Sequence, residues 1–105
     1  MAKRLPFALV VHAVAKAELK ALRAFERSRI VDAIEANLLF DPLVASRGRK
    51  LLGDVKAGFE YAPPLRELKV GEFRVFYTVN DQARTVFILA VRRKPSGSTT
   101  EEVLR

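Results

Sequence analysis

The sequence predicts an α+β domain: one strand, a helical hairpin, and an antiparallel meander closed by a short helix. Three observations carry this. Residues 7–11, "FALVV", form a short apolar run. Residues 13–40 then place apolar side chains at helical spacing, with charges on the opposite faces. Finally, three apolar runs follow in close succession between residues 65 and 92, separated by turn residues.

The first strand takes residues 7–11 and must join the sheet to bury its own apolar residues. Helices are expected over about 13–25 and 28–40. Ala15, Leu19, Leu22 and Phe25 supply the apolar stripe of the first, and Ile30, Val31, Ile34 and Leu38 that of the second. Ser28 is a candidate cap for the second helix, and Asp41-Pro42 ends it, because a residue before proline avoids the α region. Residues 43–64 read as a long irregular link punctuated by Gly48, Gly53, Gly58, Pro63 and Pro64. The meander strands are expected at about 65–70, 72–79 and 85–92. Gly71 makes the first turn and "NDQA" (80–83) the second. "TVFILAV" is apolar at all but one position, so it should lie centrally, covered on both faces. Thr99 and Glu102 have capping-box spacing for a last helical turn. Together they form one sheet and one domain, residues 1–105.

Composition narrows the chemistry. Half the residues are apolar and 30% charged, as in a folded globular chain. Cysteine is absent and His12 is the single histidine, which rules out disulfides, thiolate metal sites and two-histidine acid/base pairs. The lack of cysteine fits a reducing cytosol. No apolar run nears the ~20 residues that cross a bilayer. "MAKRLPFALVVHAVAK" imitates a signal peptide, but Pro6 and His12 interrupt its apolar part, and the stretch reads better as the first strand. His12 itself reads as structural. The glycines have neither P-loop nor dinucleotide spacing, and no serine sits in a nucleophile context.

What remains is charge. Nineteen Lys+Arg against twelve Asp+Glu give +7 and a pI near 10.3, a balance that favours nucleic acid or an acidic protein. The cations gather on the C-terminal strands: Arg66 and Lys69, then Arg74, then Arg92, Arg93 and Lys94. Antiparallel pairing should bring Arg74 near residues 92–94. Alternation puts Arg74 on the face of Phe76, opposite Phe73, Val75 and Tyr77. An arginine fork there suits a phosphate, and also suits a salt bridge to Glu67, Glu72 or Asp81. Arg47, Arg49 and Lys50 make the link basic. Lys16, Lys20, Arg23 and Arg27 read as a solvated helix face.

The stretch "RELKVGEFRVFYTV" followed by "FILAVRRK" resembles the strand pair of the RelE/ParE superfamily of type II toxins, and its most specific part is "LKVGEFRVFY". The resemblance covers nearly the whole chain and points to the RelE-like branch. It implies a toxin held inactive by a cognate acidic antitoxin in a hetero-oligomer, with no cofactor and no metal. RelE-like members cleave mRNA on the ribosome, against ribosomal RNA, whereas ParE-like members poison DNA gyrase. By position, Arg74 matches the family's phosphate-stabilising arginine, and Lys69 a basic residue before the turn. Arg93 or Lys94 matches the basic end of the last strand. These four are the expected catalytic set, with Arg66, Arg92, Arg47, Arg49 and Lys50 as RNA contacts. Two departures stand out. Glu67 occupies a place that is often lysine, and "KPSGSTTEEVLR" lacks the tyrosine or histidine that many RelE-like nucleases carry after the last strand. Lys69 and Lys94 are the candidates to replace that acid or base.

Overall fold

A computed structural model describes residues 5–105, so the basic start of the signal-like stretch, residues 1–4, lies outside the described residues. The elements are β1 (Ala8–Val11), α1 (Ala13–Lys20), α2 (Ala24–Leu38), β2 (Arg49–Gly53), β3 (Leu65–Val70), β4 (Phe73–Asn80), β5 (Thr85–Arg93) and α3 (Thr100–Leu104). They build one five-stranded sheet in the order β1-β5-β4-β3-β2. β1 runs parallel to β5, and every other pair is antiparallel. The expected α+β class is therefore observed, and β5 lies inside the sheet as its apolar sequence requires.

Two local expectations are corrected. The hairpin turns at residues 21–23, not near Ser28, which lies inside α2 and is exposed. Arg23 precedes α2 and supplies no side-chain cap. Ile30, Ile34 and Leu38 are the buried face of α2, four residues apart, so the helix is oriented by its C-terminal half. Phe25 then falls outside the stripe and is 68% exposed. The second correction is β2. Residues 49–53 lie within the expected link but add an antiparallel edge strand to β3. An edge strand buries little, so its sequence has no strong alternation to reveal it.

The sheet carries a core on each side. On the helix side Ala15, Leu19, Ile30, Ile34 and Leu38 pack against Leu68, Val70, Phe73, Val75, Tyr77, Val86, Ile88 and Val91. On the other side Leu65, Phe76, Leu89 and Ala90 pack against Val103 and Leu104 of α3, with Phe59 and Tyr61 alongside. Thr99 caps α3 through its hydroxyl, which accepts from the Glu102 N–H at 3.2 Å.

One irregularity sets the sides. Phe76 pairs with Ala90, but Tyr77 pairs with Ile88, so Leu89 is an extra residue on β5. Leu89 and Ala90 consequently share the α3 side. β1 is also too short to cover all of β5. α1 takes over beyond it, where a Glu18 carboxylate oxygen accepts the Val91 N–H at 3.0 Å. A backbone donor at a sheet edge, costly if left dry, is thereby satisfied by a helix side chain.

Gly71 and Glu72 join β3 to β4, and Gly71 has φ +58°. A side chain there would be strained, and its Cβ would meet the Arg29 guanidinium at 2.5 Å. The turn is thus fixed by backbone freedom and by an arginine from α2 lying on it.

Candidate functional site

The sheet sorts the basic residues into two groups. Register places Lys69 opposite Arg74, and Arg74 opposite Arg92. Cross-strand partners share a face, with Cα atoms about 4.5–5.5 Å apart, so these three form one row. Arg74 lies on the side of Phe76, as expected from alternation. Lys50 of β2 sits opposite Glu67 and shares that face. The sequence-predicted Lys69, Arg74, Arg92 and Lys50 are therefore brought together on the α3 side.

Within the row, Arg74 is the most constrained. Its side chain is 12% exposed, and Nη1 donates to the Gly71 and Phe73 carbonyls, both at 2.9 Å. The Glu67 carboxylate lies 4.0 Å from Nε, too far for a hydrogen bond. Nε faces that carboxylate, and neither Nε nor Nη2 makes a hydrogen bond among the described residues. Glu67 is 7% exposed, and its Oε2 has no hydrogen-bond partner among the described residues. Lys69 is exposed. Arg92 is more committed: Nε donates to Glu18 at 3.0 Å, Nη1 to the Val103 carbonyl at 2.9 Å, and its guanidinium carbon lies 5.3 Å from the Phe59 ring centre. Arg92 thus ties β5 to α1 and α3 while adding positive charge to the row.

The remaining candidates do not join this row. Arg93 points to the helix side, over the Phe73 ring at 4.5 Å, and is paired with Glu26 at 3.0 Å and with Glu72. Its expected place beside Arg74 on the phosphate-facing side is corrected by the extra residue in β5. Arg66 lies opposite Tyr77 and donates to the Leu43 carbonyl at 3.3 Å. Arg49 donates to the carbonyls of Asn37 and Asp41 at 3.0 and 2.9 Å, holding the end of α2. Arg47 is exposed on the loop before β2. Lys94 follows β5, and its backbone N–H donates to the Glu72 carbonyl at 2.7 Å, which keeps it at the β3–β4 turn. Sequence reading missed Glu18 and Arg29. Each meets its partner only through tertiary packing, and no local pattern announces either.

The Arg93 hydrogen bond, opposed in part by desolvation, holds the Glu26 carboxyl below its usual range. The sign follows from linkage. A carboxylate depressed in the folded state stabilises the fold at neutral pH, and that contribution fades as pH falls through the depressed value. Glu26→Gln should lower the urea midpoint at pH 7, and the gap to wild type should close as pH falls through the lowered carboxyl pKa. A gap that stays constant with pH would show that the pair contributes no charge-dependent stability.

Acid/base groups near the row are few. Tyr77 is 1% exposed in the helix-side core, and burial raises its pKa. The Tyr61 hydroxyl bonds the backbone of Val55. His12 stands at the end of β1, edge-on to Phe87 at 5.6 Å, away from the turn. Among the described residues no group of three His, Asp or Glu side chains is placed to hold a metal ion, and no helix is long and apolar enough to cross a membrane.

Comparison with curated protein sequences returns no significant match. Solved structures do match. A chain of the toxin–antitoxin complex RelBE2 from Mycobacterium tuberculosis is 25% identical with a TM-score of 0.68, over 88% of this chain and 95% of that one. The archaeal RelE–RelB complex from Pyrococcus horikoshii gives 21% and 0.62, over 89% and 98%. The isolated RelE toxin of E. coli gives 18% and 0.64, over 91% and 93%. At such identities the last two establish the fold alone. The sequence profile of the ParE toxin of type II toxin–antitoxin systems matches residues 9–94. That span runs from β1 to the end of β5, and on this ground the chain belongs to the ParE toxin family, within the RelE/ParE superfamily of type II toxins.

Proposed function

We propose that this toxin cleaves mRNA on the ribosome and is held inactive by an acidic antitoxin protein. The observation that carries the reading is the in-register row Lys69–Arg74–Arg92 on one sheet face. Three like charges side by side repel, so the isolated fold gains nothing from grouping them. A phosphodiester reverses that balance, and donors fixed before it arrives stabilise the charge that builds on phosphorus during transfer. In the proposed reaction the substrate's own 2′-oxygen bonds to the adjacent phosphorus and loses its proton to a base. The P–O5′ bond breaks, and the leaving oxygen takes up a proton. The products are a 2′,3′-cyclic phosphate and a 5′-hydroxyl.

Roles follow from freedom to move. Arg74, oriented by two carbonyls and with no hydrogen bond at Nε or Nη2 among the described residues, grips the phosphate. Lys69 is the candidate proton carrier, with Lys94 near the same turn. Arg92 contributes field rather than grip, because Glu18 holds it. Arg93 stabilises the fold. General acid–base help is typically ~10²–10⁴-fold, so a site relying on lysine should cut slowly. Lys50 extends the basic face as an RNA backbone contact, which should make binding steeply salt-dependent.

A second reading has its own support. The engagement of Arg92 and Arg93 by acids, together with the ParE family match, favours a toxin that poisons DNA gyrase without cutting RNA. Primer extension on cellular mRNA after brief induction separates the two. New 5′ ends appearing before any DNA breaks are expected. DNA breaks without new 5′ ends would replace the nuclease reading with the gyrase one.

A further inference from the structure

We infer that the groove at the end of β5 holds a nucleobase of the RNA beside the scissile phosphate, and that Glu102 selects a base carrying an exocyclic amino group. This rests on the mRNA-cleavage reading and adds a base-reading site to it. The groove has a volume of about 370 Å³ and is lined by Arg92, Arg93, Pro95, Ser98, Glu102 and Val103. Arg92 belongs both to the groove and to the basic row, where it stands opposite Arg74. A nucleotide adjoining a phosphate gripped at Arg74 is therefore within reach of the groove.

Two side chains of the groove are left to accept. The Ser98 hydroxyl donates its proton to the Pro95 carbonyl at 2.6 Å, so Oγ keeps its lone pairs for a ligand. Glu102 is the third residue of α3, where a glutamate commonly folds back onto the N-cap amide. Only half of that capping box forms here. Thr99 accepts from the Glu102 N–H at 3.2 Å, but the Glu102 side chain is exposed and makes no hydrogen bond or ion pair among the described residues. Two acceptors call for a donor, and the neighbouring row decides who brings it. Lys69 and Arg74 draw a phosphate backbone to this end of the sheet. The Glu102 carboxylate repels those phosphates, so a nucleotide that enters the groove turns its base inward. A flat ring finds Pro95 and the buried Val103 to pack on, and planar guanidiniums on which to stack. Cytosine, adenine and guanine then offer an amino group to the carboxylate. Uracil offers a carbonyl oxygen instead, which the carboxylate rejects.

The test compares cytidine with uridine, which differ at this edge by an amino group in place of a carbonyl oxygen. Ribosomes programmed with messages carrying C or U at each position of the A-site codon in turn are treated with the wild-type chain, Glu102→Gln or Glu101→Gln. Glu101 is exposed and lies outside the groove. At one codon position the wild type should cut the C message about tenfold faster than the U message. Glu102→Gln should bring that ratio to within about twofold of one, because an amide donates to the uracil oxygen as well as it accepts. Glu101→Gln should keep the wild-type ratio. Both variants retain the backbone N–H that Thr99 caps and should keep the wild-type melting temperature. A wild type with no C preference at any position, or a preference that Glu102→Gln leaves intact, overturns the inference while the nuclease reading stands. Weaker binding of the protein encoded by the adjoining open reading frame by Glu102→Gln, with the C-to-U ratio intact, also overturns it and assigns the groove to a cationic side chain of that partner. If the wild type cuts no message, the nuclease reading fails, and titration with short 2′-O-methyl cytidine and uridine oligonucleotides judges the groove alone. Equal binding of the two, or none, overturns the inference there as well.

Discussion

Arg74→Ala abolishes growth arrest, and in a ribosome-programmed cleavage assay lowers the rate about 10²–10³-fold, the range for removing one preorganised donor to a developing anion. The substitution removes the guanidinium in the row that is hydrogen-bonded only to turn and strand carbonyls, through Nη1. It also withdraws the cation nearest a buried carboxylate. Glu67 is 7% exposed and already has an oxygen without a partner. Losing its neighbour at 4.0 Å should cost about 1–3 kcal/mol of stability, the penalty of a buried polar group left alone. That loss could be mistaken for the functional one, so a second variant separates them. Arg74→Ala combined with Glu67→Gln removes both charges and should regain most of the stability while staying non-toxic. Arg74→Lys keeps charge without the fork and should fall between wild type and alanine. Full toxicity from a folded Arg74→Ala protein would remove the basis for the phosphate site.

Phe76→Ala is expected to lower the unfolding free energy by about 3–5 kcal/mol, as for other buried aromatics, and the melting temperature by about 15 °C or more. Phe76 is fully buried and centres the smaller core, against Leu65, Ala90 and α3. The Phe59 ring lies 6.3 Å away, tilted against it. That core holds α3 and the 57–61 segment over the face that bears Arg74. Deleting the ring should loosen both and expose Val103 and Leu104. Phe25→Ala is the contrast. Phe25 is 68% exposed, and its loss should stay within about 0.5 kcal/mol. Urea titrations of the two variants check the pair. A cost below about 1 kcal/mol for Phe76→Ala would show that α3 docks without it.

The contrast between those phenylalanines also marks where sequence reading stops. Both lie in apolar periodic stretches, and spacing alone assigns both to the core. Phe76 is fixed by strict alternation with Val75 and Tyr77 in a strand paired on both sides. Phe25 stands at a helix junction, where a shift of the turn from residue 28 to residues 21–23 rotates it into solvent. β2 escaped for a related reason: an edge strand with exposed Leu51 and Lys50 buries too little to imprint a period. Arg74 was legible because its neighbours alternate cleanly. Its position opposite Lys69 came with the register of the Gly71-Glu72 turn.

The amino-acid sequence by itself determined the α+β order, the burial of β5, the turn at Gly71 and the side of β4 on which Arg74 stands. These follow from local period and backbone freedom. Only the tertiary structure decided which of the consecutive arginines at the end of β5 joins Arg74. Uninterrupted alternation from Val86 and Ile88 would carry Arg92 to the helix side. The extra residue at Leu89 reverses that parity, so Val91 and Arg93 turn toward the helices and Arg92 toward the phosphate-facing row. A single-residue bulge leaves no mark in an apolar run, because every residue in "FILAV" can be buried on either side; what places it is the pairing with β4.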